Sequence, residues 1–235
     1  MSYSAVIFDL FGTLVPDITG PPYERVAAQM AEVLSVPAES FIEIWFGLVY
    51  ERNIGVFETI QDNIVHICKK LKVDVSEEQV YKATRIRYEY VKQAMTSPRD
   101  HSLETLKELR NRGVRIGLLT DCSPSEVDIW PVTPFPDLFD ATVFSSSVNL
   151  KKPDVRIFKL AAKRLKVKEN ECIYVGNGGS NEIAGSHESG MFPILVLPDE
   201  DARPDLYPDK EVIDYAWQKG RVIKNHSEIL ELFKL

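Results

Sequence analysis

The sequence predicts an α/β protein in which helices cover both faces of a parallel sheet and a helical segment interrupts the sheet after its first strand. Two patterns support this fold class. From about residue 97 onward, short β-branched runs alternate with helix-length segments, which is typical of βαβ units. From about residue 16 to residue 96 the apolar residues follow helical spacing, and no run there has a strand-like composition.

The predicted strands are short apolar runs. The first covers residues 3–8 and ends directly before Asp9. Four more runs, rich in Val, Ile and Leu, follow in the second half of the chain: 114–119, 141–144, 172–175 and 193–197. Runs of this length, bounded by polar or turn residues, fit strands that are buried inside a parallel sheet.

The helices between these strands are marked by apolar stripes. Residues 102–110 and 155–165 each carry apolar side chains at helical spacing, and both segments are bounded by start or stop signals. We expect a last helix over residues 227–233, capped by Ser227, because serine is a preferred residue at helix starts. Residues 199–208, rich in Asp and Pro, are expected to form a surface loop.

The insert after the first strand is predicted to contain four amphipathic helices, over residues 23–34, 39–50, 57–71 and 76–95. An insert at this point stands over the carboxyl ends of the strands, where it can close a site as a lid. The sequence therefore predicts a Rossmann-like three-layer core formed by residues 1–15 and 97–235, and a four-helix cap formed by residues 16–96.

Size and charge limit the function classes. The chain has 235 residues, of which 44% are hydrophobic, so it can bury a full core. Its net charge of −7, from 28 basic and 35 acidic residues, argues against binding to nucleic acid and favours a small-molecule partner. None of these features indicates an oligomeric state.

The expected location is the cytoplasm. The sequence has no amino-terminal targeting pattern, and no apolar run approaches the roughly 18 residues that span a bilayer. Its three cysteines, Cys68, Cys122 and Cys172, are far apart and lack the spacing of a zinc site or a disulfide framework. A reducing compartment suits such cysteines, and we expect no contact with a membrane.

A carboxylate stands at the end of the first predicted strand. Asp9 follows the apolar run directly, and the turn residues Gly12 and Thr13 come soon after it. In an open α/β sheet, ligands bind outside the carboxyl ends of the strands. This position therefore predicts a functional site around Asp9.

The segment Asp9-Leu10-Phe11-Gly12-Thr13 resembles the first motif of the haloacid dehalogenase-like hydrolases. The resemblance implies that Asp9 is a covalent nucleophile and that the residues after it line the substrate site. The common form of this motif carries a second Asp two positions later, as general acid and base, where this chain has Phe11. Loss of that acid would slow the departure of a poor leaving group by about 10²–10⁴-fold.

Two later segments resemble the second and third motifs of the same family. Leu118-Leu119-Thr120-Asp121 ends a predicted strand, and the resemblance implies that Thr120 hydrogen-bonds the transferred group. Asp121, where the family commonly has Asn, is expected beside the substrate. Lys152 precedes a Pro-Asp pair, and the resemblance implies that it is the cation of the site.

Residues 174–182 resemble the fourth motif, but the acids usual at two of its positions are here Asn177 and Glu182. The resemblance implies a magnesium ion held by Asp9, the Phe11 carbonyl and an acid of this motif. Because the amide oxygen of Asn177 is neutral, we expect a weakened magnesium site that depends on the reach of Glu182. Asn177 is also expected to contact the substrate.

Three functions are open at this point. Phosphoryl transfer from a small anionic substrate comes first, because Lys152 and part of the metal site are retained. Displacement of halide from a 2-haloacid comes second, because enzymes of that branch have an aromatic residue at the position of Phe11 and act without magnesium. The third is a binding protein that retains the fold without the chemistry, since two of the usual site acids are absent.

The cap offers one candidate for substrate contact. Dehalogenases of the family hold the substrate carboxylate with an arginine shortly after the first motif, and here Arg25 comes early and Arg52 late. Arg52 falls in residues 51–55, which we expect to form a break between the second and third cap helices. Related caps contact substrate with the corresponding loop, so Arg52 is expected to bind substrate.

Overall fold

The computed structural model describes residues 3–199 and 202–233 of the chain. Within these residues, six strands form one parallel sheet in the order β3-β2-β1-β4-β5-β6. The strands are β1 (Ala5–Phe8), β2 (Arg115–Thr120), β3 (Ala141–Phe144), β4 (Cys172–Gly176), β5 (Phe192–Val196) and β6 (Arg221–Ile223). The predicted parallel α/β sheet is confirmed, and β6 is a strand that the sequence analysis missed.

The segment of residues 16–96, all of which the structure describes, forms five helices. They are α1 (Pro21–Leu34), α2 (Ala38–Gly47), α3 (Val49–Asn53), α4 (Ile60–Lys70) and α5 (Glu77–Met95). They share an apolar core in which Met30, Phe41, Trp45 and Ile64 are fully buried. We call this segment the cap, and its bounds at residues 16 and 96 stay a prediction.

The expectation of four cap helices is wrong at one position. The helix predicted over residues 39–50 ends at Gly47, and α3 begins a new helical segment at Val49. Leu48 between them has φ −101° and ψ 16°, outside the helical region, and glycine before it is a poor helix former. The break therefore precedes Arg52, which lies in α3 and not in a loop.

Six α-helices belong to the rest of the described chain. They are α6 (Ser102–Asn111), α7 (Pro124–Ile129), α8 (Ser145–Val148), α9 (Val155–Leu165), α10 (Glu182–Glu188) and α11 (Lys210–Lys219). The helices predicted over 102–110 and 155–165 are confirmed as α6 and α9. The other four have short or interrupted apolar stripes, which explains why periodicity did not reveal them.

Helices cover both faces of the sheet because successive strand residues point to opposite sides. In β1, Val6 and Phe8 enter one apolar layer with Leu106 of α6, whereas Ile7 enters the opposite layer with Phe158 of α9. All of these side chains are fully buried. Double-sided burial is the reason that the strands read as continuous apolar runs.

Two expectations for the carboxyl-terminal region need correction. The last helix is a 3₁₀ helix over His226–Phe233, so Ser227 lies inside it and does not cap it. The expected loop over 199–208 contains a short 3₁₀ turn at Pro204–Leu206, while residues 200 and 201 lie outside the described part of the chain. Among the described residues, no helix has the length and apolarity needed to cross a membrane.

Candidate active site

The strand order places the site. The order reverses between β1 and β4, which run side by side while their crossovers lead in opposite directions. Such a switch point opens a crevice outside the carboxyl ends of the strands. Asp9 follows β1, Asp121 follows β2 and Asn177 follows β4, so residues of three predicted motifs meet at this edge of the sheet.

The centre of the site is an ion-pair cluster. Lys152 Nζ donates to Asp9 Oδ1 at 2.7 Å and also hydrogen-bonds Glu182 Oε2. The second oxygen of Asp9 accepts from the Thr13 hydroxyl at 3.2 Å. Tyr174, on β4, donates its hydroxyl to Glu182 Oε2 at 2.6 Å. We call Asp9, Lys152, Glu182 and Tyr174 the Asp9 cluster.

Burial and charge shift the pKa values within the Asp9 cluster. Asp9 is only 4% exposed, and this burial raises its pKa, Lys152 lowers it and Glu182 raises it, with a net result of about 7. Burial alone would lower the pKa of Lys152, but the carboxylates of Asp9 and Glu182 outweigh it and raise that pKa well above its ordinary value. The ammonium is therefore charged, and one cation serves two acids.

Asp121 holds the loop that carries the site cation. Its Oδ1 accepts a hydrogen bond from the backbone N–H of Lys152 at 3.0 Å, and its Oδ2 lies 3.7 Å from the ammonium of Lys151. The second distance is too long for a hydrogen bond, so the backbone contact is the stronger one. Asp121 lines the cavity above the site and also positions Lys152.

Two further motif residues, Thr120 and Gly12, have features that point to a role near Asp9. The Thr120 hydroxyl is buried at the end of β2 and has no hydrogen-bond partner among the described residues. Gly12 has φ +72°, and a Cβ placed on it would lie 2.1 Å from the Asn177 side-chain nitrogen. Only glycine permits this approach of the first and fourth motifs.

A cavity of about 710 Å³ opens above Asp9. Its floor includes Phe11, Lys152 and Asn177. Its roof is made by cap residues, among them Tyr23 and the two arginines Arg52 and Arg87. The remaining predicted site residues are not part of this lining: Thr13, Thr120 and Glu182 are buried, and Gly12 lines a smaller neighbouring cavity.

Arg52 lines the cavity, but it lies in a helix and is buried, whereas the sequence analysis expected it in a loop. It is 3% exposed, its Nη1 donates to the Trp45 carbonyl at 2.6 Å and to Asn63 Oδ1 at 3.1 Å, and its guanidinium lies 4.1 Å from the Trp45 ring centroid. No carboxylate of the described residues forms an ion pair with it. Burial lowers its pKa to about 10, with Arg87 adding in the same direction.

Arg87, by contrast, is fully paired. Its Nη2 lies 2.7 Å from Glu126 Oε1, and its other donors contact Ser123, Ser125 and the Tyr23 hydroxyl. Burial opposes its charge, but the Glu126 carboxylate outweighs burial and raises the pKa of Arg87. This buried ion pair joins helix α5 of the cap to helix α7, directly after β2.

The donors around Asp9 do not form the expected magnesium site. The cation between Asp9 and Glu182 is the Lys152 ammonium, and Glu182 Oε1 accepts from the Gly178 backbone N–H at 3.0 Å. The Asn177 amide oxygen accepts from the Gly179 N–H at 3.1 Å. Among the described residues, no cluster of three His, Cys, Asp or Glu side chains could hold a metal. The residues as placed do not fit the ion.

Several residues near the site were not found by sequence reasoning. Tyr174 resembled an ordinary strand aromatic, and Tyr23 and Arg87 lie on amphipathic helices without a motif. His226 showed no ligand spacing, yet its Nε2 lies 2.9 Å from the Thr13 carbonyl. Arg99 Nη1 donates to the Gly12 carbonyl at 2.6 Å. Only the folded structure reveals these contacts, since no sequence motif marks them and the partners of Tyr23, Arg99 and His226 are distant along the chain.

The chain is similar in sequence to known proteins. The family model of the haloacid dehalogenase-like hydrolases matches residues 3–190. Over 132 residues the chain is 32% identical to the glyceraldehyde 3-phosphate phosphatase of Methanocaldococcus jannaschii, a match that covers 53% of this chain and 56% of that protein. Over 176 residues it is 23% identical to the (S)-2-haloacid dehalogenase of Pseudomonas sp. strain YL, and this match covers 73% of each protein.

The fold is shared with solved structures. The 2-haloacid dehalogenase of Pseudomonas syringae pv. tomato DC3000 superposes with a TM-score of 0.67 at 22% identity, covering 98% of this chain and 97% of that one. The chain spans only about half the length of the archaeal phosphatases that it matches in sequence. The family model, however, spans most of this chain, from the first strand to the end of α10. The chain therefore belongs to the haloacid dehalogenase-like hydrolases.

Proposed function

We propose that the protein is a phosphatase that acts through a covalent aspartyl phosphate on a small anionic substrate. The observation that carries this proposal is the contact of Asp9 with the buried Lys152 ammonium beneath a cavity roofed by two arginines. A carboxylate can attack an anionic phosphate only if nearby positive charge offsets the repulsion between them. Lys152 and Arg52 supply that charge.

The proposed chemistry has two steps. One oxygen of Asp9 forms a bond to phosphorus while the bond from phosphorus to the leaving oxygen breaks. A water oxygen then attacks the same phosphorus, and the bond to Asp9 breaks to release inorganic phosphate. Lys152 balances the negative charge, and the unpartnered Thr120 hydroxyl is free to donate to a phosphoryl oxygen. No step here passes through a metal.

The substrate is proposed to be a small phosphate ester. The relative from Methanocaldococcus jannaschii is named for glyceraldehyde 3-phosphate, a three-carbon phosphate of the size that the cavity accepts. In our proposal the phosphoryl group lies over Asp9 and the remainder of the molecule lies under the cap. Arg52 and the floor residues Phe11, Asp121 and Asn177 contact the substrate there.

Halide displacement is the second candidate. Phe11 at the position of the usual acid supports it, and so does the similarity to a protein named (S)-2-haloacid dehalogenase. In that reaction Asp9 forms its bond to carbon and halide leaves without a proton. A binding protein without turnover is the third candidate.

One experiment separates the three. Purified protein is incubated with 4-nitrophenyl phosphate, acetyl phosphate, glyceraldehyde 3-phosphate and 2-chloropropionate, each with magnesium and with a chelator. Release of phosphate supports the phosphatase, release of halide supports the dehalogenase, and no turnover leaves the binding protein. The Asp9→Asn variant should abolish turnover, whereas Asp128→Asn, which changes an exposed carboxylate on α7, should leave it intact. Full activity of Asp9→Asn would contradict the proposal.

The same assay tests the role of magnesium, which the family resemblance implies but the placed donors do not favour. Activity that survives the chelator would agree with Lys152 as the resident cation. We also propose a cytoplasmic location, because Cys68, Cys122 and Cys172 are free thiols.

A further inference from the structure

The proposed phosphatase lacks a proton donor at the position where its family commonly has one. Phe11 is half-buried and packs against the apolar layer that includes Phe8 and Leu118. Its side chain lines the cavity floor but has no proton to donate. An ester of an ordinary alcohol needs a proton on the departing oxygen, an effect worth about 10²–10⁴ in rate. A donor must therefore come from another part of the cavity.

Tyr23 is placed to be that donor. It lies on α1, is buried, and lines the same cavity as Asp9 and Phe11. Its hydroxyl oxygen accepts a hydrogen bond from Arg87 Nε at 2.8 Å. Arg87 is itself fixed to Ser123, three residues beyond Thr120, so the phenol is held over the carboxyl end of β2.

The hydrogen-bond pattern leaves the Tyr23 proton free. A phenol has one proton to donate, and an oxygen that already accepts from Arg87 directs that proton elsewhere. Among the described residues, none accepts it. The Arg87 charge next to the oxygen would stabilise the phenolate that forms when the proton leaves.

Glu126, the buried acid next to Arg87, cannot serve as the proton donor. Both oxygens of Glu126 accept hydrogen bonds, one from Arg87 and the other from Ser123 and Ser125. Although burial raises the pKa of Glu126, the Arg87 charge and these hydrogen bonds outweigh burial and lower it. Glu126 is therefore ionised and has no proton to give.

We propose that Tyr23 is the general acid and base of the reaction, supplied by the cap in place of the missing acid at position 11. In the first step the leaving oxygen takes the Tyr23 proton as its bond to phosphorus breaks. In the second step the phenolate takes a proton from the water that attacks the aspartyl phosphate. The hydroxyl is restored, and one ester and one water yield one alcohol and one phosphate. This inference rests on the proposed phosphatase activity.

The test compares leaving groups in the Tyr23→Phe variant. The two probes are glycerol 3-phosphate, whose alcohol leaves poorly, and 4-nitrophenyl phosphate, whose phenolate leaves without a proton. The quantity measured is kcat/KM, which covers the steps from substrate binding to release of the leaving group and excludes the later hydrolysis of the aspartyl phosphate. We expect kcat/KM to fall about 100-fold for the alkyl ester and less than about threefold for the aryl ester.

Tyr90→Phe is the matched control. Tyr90 stacks on Tyr23 with ring centroids 5.6 Å apart, but it does not line the cavity. This variant removes a neighbouring phenol from the same aromatic cluster, and both esters should react at rates close to those of the wild type.

The outcomes are distinct. If Tyr23→Phe lowers kcat/KM equally for both esters, or for neither, the acid role of Tyr23 is overturned. Turnover of the aryl phosphate by the wild type would still support the phosphatase in that case. Absence of turnover of both esters by the wild type would overturn the phosphatase and this inference together. A fall in kcat/KM that is confined to the alkyl ester supports both the phosphatase and the acid role of Tyr23.

Discussion

Lys152 Nζ and Asp9 Oδ1 lie 2.7 Å apart, and both side chains are almost completely buried. The same ammonium hydrogen-bonds Glu182, which is fully buried. Breaking a buried pair leaves an uncompensated charge, which costs far more than the pair contributes. These ion pairs therefore stabilise the core and also hold the positive charge that the proposed attack by Asp9 needs.

Replacing Lys152 with Met should reduce both stability and activity. Two buried carboxylates would lose their shared cation, so we expect the free energy of unfolding to fall by about 3–5 kcal/mol. The anionic substrate would meet no compensating charge at the cavity floor, and kcat/KM should fall by at least about 10²-fold. Urea denaturation and initial rates with 4-nitrophenyl phosphate measure the two effects.

The control for this variant is the neighbouring Lys151→Met. Its ammonium is partly exposed and lies 3.7 Å from Asp121, a pair of the kind worth less than about 1 kcal/mol. Equal losses for the two variants would contradict a special role of Lys152.

The Arg87–Glu126 pair should hold the cap against the core. Glu126→Gln would leave the Arg87 guanidinium buried without its counter-charge, and we expect the free energy of unfolding to fall by about 3–5 kcal/mol. The control is Glu89→Gln on α5, the helix that carries Arg87, which removes an exposed pair with Arg85 worth about 0.3–0.5 kcal/mol. Thermal and urea unfolding measure both, and a loss of less than 1 kcal/mol in Glu126→Gln would count against this role.

The fold was predictable from the sequence because double-sided burial leaves a plain signal. Five of the six described strands are continuous apolar runs that alternate with helical segments. β6 has only three residues, from Arg221 to Ile223, and the sequence of so short a strand cannot be distinguished from that of a loop. The break at Leu48 escaped prediction because the apolar spacing continues across it, from Trp45 to Val49.

The motifs predicted which candidate residues lie together, but not how their side chains pair, and the roles of these residues stay predictions. Asp9, Thr120 and Lys152 were named from motifs, and the structure brings all three to the ends of β1 and β2. Their pairings come from tertiary geometry: Lys152 lies 143 positions from Asp9 along the chain. Side chains such as Tyr23 and Arg87 carry no motif and become visible only when the cap is placed over the sheet.

Arg52 should act on substrate affinity. Its buried guanidinium lines the cavity, and no carboxylate of the described residues forms an ion pair with it, so a substrate anion would gain a charge-assisted hydrogen bond there. For Arg52→Gln we expect KM for glyceraldehyde 3-phosphate to rise about tenfold, with kcat within about threefold of the wild type. Steady-state kinetics measure the split between the two constants.

Arg25→Gln is the control for Arg52, since Arg25 is an exposed arginine on α1. Its KM should match that of the wild type. Arg52 also packs on Trp45, so urea unfolding of both variants accompanies the kinetics. An Arg52→Gln protein that unfolds more readily but retains the wild-type KM would assign Arg52 to packing alone.

His226 should make the folded state sensitive to acid. Its ring is buried behind the first motif, where Nε2 donates to the Thr13 carbonyl. Burial lowers its pKa to about 4, and the nearby Arg99 charge acts in the same direction, while the carbonyls of Thr13 and Asp100 and the Asp199 carboxylate oppose the shift. The folded protein therefore keeps this ring neutral at a pH where an unfolded chain would protonate it.

The folded state should lose stability as the pH falls, because the unfolded chain takes up a proton at His226 more readily. Between about pH 6.5 and pH 4 the unfolded state binds more protons at His226 than the folded state does, so stability falls as the pH falls through this window. The loss amounts to at most about 3 kcal/mol. His226→Gln retains a donor without a titration and should flatten the pH dependence of urea unfolding, whereas exposed His101→Gln should not. An unchanged slope in His226→Gln would show that other groups cause the acid sensitivity.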